Sequence, residues 1–253
     1  QNDQRNARLV DLGENGVGCF WSESRSFISG FDVFFQAIDG DGSIQLAEGG
    51  VSVAESNGDD YVKDIVPTPD GNYLIFWVEE IWPASRLKFN KITPNGTVAI
   101  GWPPSGHSLS DQSLEANDIS VKKISDSDGV LAVWNQDGNF SDVYAQKISW
   151  DGETQWTDFG VPISTEDNDQ SSISFDVDSD GLYAFISWED YRNGSDYDIV
   201  GKEININSGS ISNEDIYFSS DSTNQQKPLV RAVAPGEFVL IWEDGRGYYN
   251  SDP

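Results

Sequence analysis

The chain has 253 residues, with 43 acidic against 15 basic side chains and a formal net charge of −28. A field of that sign repels phosphate backbones and anionic lipid surfaces, which argues against nucleic acid as a partner. No run of eighteen or more apolar residues is present, so no membrane insertion is expected, and a single cysteine and a single histidine, Cys19 and His107, exclude an internal disulfide and multi-histidine metal sites.

In chain order the predicted elements repeat one pattern. "ARLV" and "GVGCFW", joined by the turn "ENG", read as two strands, with Cys19 on the face of Val17 and Trp21 as a buried structural thiol. Next, "PDG" leads into "NYLIFW", with Tyr73, Ile75 and Trp77 on one face and Leu74 and Phe76 on the other. "SDG" then leads into "GVLAVW". The fourth copy is the fullest: "SSISFDV", the turn "DSDG", "LYAFISWED", the loop "YRNGSDY", "DIVGKEININ", the turn "SG" and a short "SISNEDIYF". Its second strand places Leu182, Ala184, Ile186 and Trp188 on one face, Tyr183 and Phe185 on the other. In the fifth copy "PGE" precedes a strand with Phe238, Leu240 and Trp242 against Val239 and Ile241, and "YYNSDP" stands where a third strand would begin. Gly after Asp, Asn or Ser supplies the positive φ that such hairpins need.

Trp21, Trp77, Trp134, Trp188 and Trp242 recur every 54 to 57 residues, a repeat signature that an immunoglobulin-type sandwich would not produce. A Trp strand that is apolar on both faces must be covered on both, so each four-stranded meander packs between two neighbours. The expected fold is an all-β β-propeller of four-stranded antiparallel blades, with about four and a half blades present. Blades are expected at about 7–56, 57–113, 114–169 and 170–223, with a partial one at 224–253, in a single region belonging to a longer chain and a ring larger than five. Absence of Met, an initial Gln1 and an acidic, Asn/Gly/Ser-rich composition suit an exported protein, extracellular or at the cell surface.

The segments "WEDYRNGSDYDIVGKEI" and "WNQDGNFSDVYAQKISWDG", supported by "WEDGRG" and "WSESRSFISGFDVFFQAIDGDG", resemble a family of bacterial exported β-propeller repeat proteins. Its blades read Trp-x-Asp-x-Arg, a Gly-containing loop, then Asp-Ile-Tyr-Ala-Gln. The second copy, "WVEEIWPASRLKFNKITPNG", has lost both the Arg and the Asp. The resemblance implies a propeller used for display or binding and carries no catalytic residues.

Asp190 and Arg192, like Asp244 and Arg246, stand two and four residues after a repeat Trp and read as a local ion pair, since residues two apart on a strand share a side. Asp176, Asp178 and Asp180 in "DVDSDG" match the opening of a calcium loop, but Ser187 occupies the place of the closing Glu, which favours a hairpin. Calcium elsewhere on so acidic a chain is compatible with the sequence, and no other cofactor is implied. "SWDGETQW" is similar to a structural hairpin of sialidase-like propellers, and the glycosylation patterns at Asn95, Asn139 and Asn193 read as chance turns.

The loops after the Trp strands differ between copies and hold Phe27, Trp82, Phe140, Tyr191, Tyr248 and Tyr249 beside polar residues. Exposed aromatics in polar surroundings suit glycan or protein recognition, and the same residues would also serve to seal a blade edge. The leading expectation is therefore a non-enzymatic binding, adhesion or display module with a glycan or protein ligand. Two alternatives stand beside it: a carboxylate-dependent glycosidase or lyase, as five-bladed propellers host, and a self-associating structural subunit pairing through edge strands.

Overall fold

The computed structural model describes residues 3–13, 16–26, 30–111 and 113–246, and its regular elements are strands. Strands β1 (Asp3–Asp11), β2 (Val17–Ser26), β3 (Gly30–Ile38) and β4 (Val51–Ala54) form one antiparallel sheet in chain order. A second contains β5 (Asp59–Pro67), β6 (Tyr73–Ile81), β7 (Ala84–Ile92) and β8 (His107–Ser108). The third contains β9 (Glu115–Ser125), β10 (Gly129–Asp137), β11 (Ser141–Ile148) and β12 (Val161–Ser164). The fourth contains β13 (Gln170–Val177), β14 (Tyr183–Asp190), β15 (Asp198–Asn205) and β16 (Ile216–Ser219), and β17 (Gln225–Ala234) pairs with β18 (Glu237–Asp244). The fold is a β-propeller of four-stranded antiparallel blades with about four and a half blades present.

Backbone contacts divide the chain into two compact units, Gln1–Val121 with Trp150–Gly152, and Lys122–Ser149 with Glu153–Pro253. In the first unit Phe20, Val33 and Phe35 of blade one share a buried cluster with Tyr73, Ile75 and Trp77 of blade two. Phe20 stacks on Phe35 at 4.3 Å and meets Tyr73 edge-on at 6.1 Å. In the second unit Leu131, Val133 and Ala145 of blade three close on Ala184, Ile186, Trp188 and Val200 of blade four. Each large side chain so buried is stabilised by roughly 1.5–3 kcal/mol. That is why the second strands are apolar on both faces.

The first strands are bulged after Arg5, Val62, Ser171 and Gln226. Asn6, Ser172 and Lys227 have positive φ there. Such bulges free backbone groups for the preceding blade. Lys227 N donates to Glu189 Oε1 at 2.7 Å, Val62 N to Ser22 Oγ at 2.9 Å, and Asn135 Nδ2 to the carbonyl of Gln170 at 2.7 Å. Ser22, Asn135 and Glu189 each directly follow a repeat Trp.

Several sequence expectations need correction. Trp134 and Trp188 are fully buried and Trp77 nearly so, but Trp21 and Trp242 are half-buried. Blade five has no third strand among the described residues to cover Trp242. Leu182 precedes β14 and is exposed, its carbonyl accepting from Ile206 N. The fourth strand of blade four is confined to Ile216–Ser219, with Ile211 forming only an isolated bridge to Ile204. Cys19 is half-buried, not buried.

Candidate active site

The repeated motif is a clamp. Trp188 Nε1 donates to Asp190 at 2.7 Å, and Trp21 and Trp134 do the same to Glu23 and Gln136 at 3.0 and 3.2 Å. Asp190 also accepts from Arg192 Nε at 2.8 Å and Nη2 at 2.6 Å, and Arg246 repeats this on Asp244. Directly across the strand pair lies the third-strand Asp: Asp32 opposite Glu23, Asp142 opposite Gln136, and Asp198 opposite Asp190. Burial pushes Asp32 and Asp142 up to about 6, helped by Glu55 and Asp59 around the first and by Asp137 beside the second. Asp198 is raised as well, by burial and then by Asp196.

Blade two departs from this scheme. Its Glu79 faces Arg86 across the strands, at 3.8 Å, and Lys88 at 3.3 Å. A cation thus stands where the other blades have the third-strand Asp, and it compensates for the lost Arg. Trp77 Nε1 turns instead to Asp60 Oδ1, at 3.1 Å. Asp60 is fully buried, and burial, then Glu79, pushes it up to about 7.

The same blade carries a loop without counterpart among the described residues. Ile81 pairs with Ala84, so Trp82 and Pro83, joined by a cis peptide, form the whole connection between β6 and β7. Trp82 is 93% exposed. It borders a cleft of about 360 Å³ with Asp59, Glu80, Ser85, Glu115 and Asn117, all in the first unit. Asp59 and Glu80 are direct cross-strand partners. Asp59 is fixed: Oδ1 accepts from Phe31 N at 2.8 Å and Oδ2 from the Tyr61 hydroxyl at 3.4 Å. Gly30, at φ 71°, leaves room for it, since a Cβ there would lie 2.4 Å from Asp59 Oδ1. Burial first, then Asp59 and Glu80, pushes Tyr61 up to about 12, so its phenol stays a donor. Ser85 Oγ ties down both the N–H and the carbonyl of Ala116, which sets Glu115 beside the hairpin.

Glu80 and Glu115 are exposed and have no hydrogen-bond or ion-pair partner among the described residues. Asp59 is different in kind. Asp169 Oδ1 accepts from Ser141 N and Asn224 Oδ1 from Tyr197 N, each at 3.1 Å, so the Asp59 contact is one copy of a blade-to-blade tie. The arrangement is a flat apolar ring beside two unencumbered carboxylates and a third held in place, which offers a sugar a stacking surface and hydrogen-bond acceptors. A cleft of about 420 Å³ in the second unit, around Asn224 and Glu243, contains no aromatic residue.

Among the other expected aromatics, Phe140 is 40% exposed and borders a cleft of about 320 Å³ with Asp137 and Asp169. Tyr191 is half-buried, its ring 4.8 Å from Tyr197. Phe27, Tyr248 and Tyr249 lie outside the described residues. Asp178 spends Oδ1 on Leu182 N and Tyr183 N and Oδ2 on Gly236 N; Asp176 Oδ2 accepts from Ala232 N, and Asp180 is exposed. That is hairpin geometry. Among the described residues no group of three or more His, Cys, Asp or Glu side chains is placed to hold a metal ion, and no helix is long and apolar enough to cross a membrane. His107 is stacked on Phe89 at 5.2 Å.

Sequence reading missed Glu80 and Glu115. The signal was present in "WVEEIWP": the copy that lost its motif residues is the copy that gained the hairpin. Other first-strand acids are engaged, Asp64 accepting from Val121 N and Asp118 pairing with Lys63.

No protein-family model matches the sequence, and no curated protein does. Solved structures match the fold. An endo-arabinase from Bacteroides thetaiotaomicron aligns over 94% of this chain and 88% of its own with 12% identity and a TM-score of 0.51. A thermostable family-43 glycoside hydrolase aligns over 96% and 84% with 12% identity and a TM-score of 0.46. At this identity the first match establishes the propeller fold. It also corrects the expectation of a non-enzymatic binding, adhesion or display module, because the solved chain that shares this architecture along nearly its whole length is a glycan-cleaving enzyme.

Proposed function

We propose that the chain is a carboxylate-dependent glycoside hydrolase whose site is the cleft beside Trp82. The observation that carries this is the pair Glu80 and Glu115, both without a hydrogen-bond or ion-pair partner among the described residues and both bordering the cleft with an exposed indole. Trp82 stacks on a sugar ring; one glutamate protonates the departing glycosidic oxygen and the other activates water or attacks the anomeric carbon. Asp59, held by Phe31 N and Tyr61, supplies a fixed negative charge near the developing oxocarbenium ion. The partner is then a glycan bound as substrate. Export is part of the proposal, supported by the acidic, Met-free composition.

Reducing-sugar release from a panel of neutral polysaccharides, arabinan included, tests this. Glu80→Gln and Glu115→Gln are each expected to lower kcat by about 10²–10⁴-fold, with folding retained. Trp82→Ala is expected to raise KM with a smaller effect on kcat. Hydrolysis indifferent to both glutamate variants, or no hydrolysis of any panel member by the folded protein, overturns the proposal.

A further inference from the structure

At the opposite end of β6 from Glu80 lies a second cleft, of about 530 Å³, between the turns of blades one and two. At about 3.3 Å per residue the two ends of β6 are roughly 25 Å apart. The cleft lies wholly within the first unit, and its volume is in the range of small-ligand sites.

Tyr73 stands at its wall. The residue is only 6% exposed, with its ring held in the core against Phe20 and Phe35, at 6.1 and 5.9 Å. Its hydroxyl has no hydrogen-bond partner among the described residues, yet it is not sealed from solvent. The ring is fixed in the core while the hydroxyl opens on the cleft, so its donor and acceptor are left to water or to a ligand. The same cleft receives three more unspent groups. Asp11 uses only Oδ1, on Gly13 N, and the side-chain amides of Asn72 and Asn95 have no partner among the described residues. Pro67 and Pro94 add apolar surface beside them.

We propose that this cleft binds an uncharged, polyhydroxylated ligand, a neutral sugar unit, at a site separate from the Trp82 cleft. The chemistry selects that class. Two amides and a phenol both donate and accept, as sugar hydroxyls do, and Asp11 accepts from a hydroxyl. Two lining carboxylates, Asp11 and Asp39, without any lining Lys or Arg repel uronates, and a purely cationic ligand would leave the donors of Tyr73, Asn72 and Asn95 without acceptors. The inference is independent of hydrolysis at Trp82.

The test is a titration of protein labelled with ¹³C-tyrosine, in which the Tyr73 signal is identified by its absence from Tyr73→Phe. The probes are cellotriose, xylotriose and arabinotriose, with trigalacturonic acid as the anionic and glucosamine trimer as the cationic control. At least one neutral trisaccharide is expected to move the Tyr73 signal. Tyr73→Phe, which has no protein hydrogen bond to lose, is expected to keep its Tm and to bind about 5–10-fold more weakly. Trp82→Ala is expected to leave this titration unchanged, which separates failure here from failure of the hydrolase reading. A Tyr73 signal stationary at millimolar concentrations of all neutral probes, movement by a charged probe alone, or Tyr73→Phe binding as tightly as wild type overturns the site.

Discussion

Asp60 shows how one residue sets a local pH response. It sits where blades four and five carry buried Gln170 and Gln225, so its charge departs from the repeat. Burial first, and Glu79 second, raise it from 3.8 to about 7 in the folded chain. A carboxyl whose folded pKa lies above its unfolded value binds more protons when folded, so its ionisation takes stability away as pH rises from about 4 through about 7. A rise of that size corresponds to about 4 kcal/mol at most. Asp60→Asn keeps an acceptor for the Trp77 indole and cannot ionise. It is expected to match wild type near pH 4 and to exceed it at pH 8, as read by urea denaturation; equal stability at both pH values would contradict the burial argument.

Among elements, the β6–β7 hairpin is the informative one. In three blades a carboxylate or amide two residues after Trp faces an Asp on the third strand, and in two of those it is neutralised by an Arg four residues after Trp. Here Ile81 replaces that Arg, and Arg86 from the facing strand supplies the cation to Glu79. Arg86→Asp restores the repeat's acid without its clamp. It is expected to destabilise by about 1–3 kcal/mol, through two opposed carboxylates on one sheet face. Adding Ile81→Arg is expected to recover most of the loss, measured by chemical denaturation as a double-mutant cycle. Independent, additive effects would show that the charges do not meet. Glycine has a matching element-level role at the start of the fourth strands: at Gly160, φ 86°, a Cβ would lie 2.5 Å from the Trp134 ring, and Gly50 and Gly106 repeat this over Trp21 and Trp77. Only a residue without Cβ lets the indole lie that close.

Charge dominates at the scale of the whole molecule. With a net −28, folding concentrates acids that repel one another; Asp32, Asp60 and Asp142 are raised into the range of about 6 to 7, by burial first and by neighbouring carboxylates second. Each contributes the same sign, so Tm is expected to rise as pH is lowered from 8 to about 5.5. Added salt is expected to raise Tm more at pH 8 than at pH 5.5, because screening relieves repulsion that protonation has already removed at the lower pH. Calorimetry at two pH values and two ionic strengths checks both; a Tm that falls on acidification to 5.5 would mean that paired acids outweigh the raised ones.

By itself the sequence determined the repeat, the all-β meander and the clamp, because each of these is written locally. A Trp every 54 to 57 residues, Gly after Asp in the turns and an acid or amide two positions after Trp depend only on strand alternation and hairpin geometry. It also marked Trp82 as a candidate. Tertiary structure alone decided which acids are spent and which are free. Asp59, Asp64, Asp169 and Asp176 accept backbone N–H groups from neighbouring blades, while Glu80 and Glu115 are left open beside Trp82. Those partners lie some 28 to 57 residues away along the chain, and no local pattern encodes them. Tyr73 was legible as a core residue from its alternation with Ile75 and Trp77. That its hydroxyl opens on a cleft without a protein partner among the described residues depends on where the turns of two blades come together, which only packing fixes.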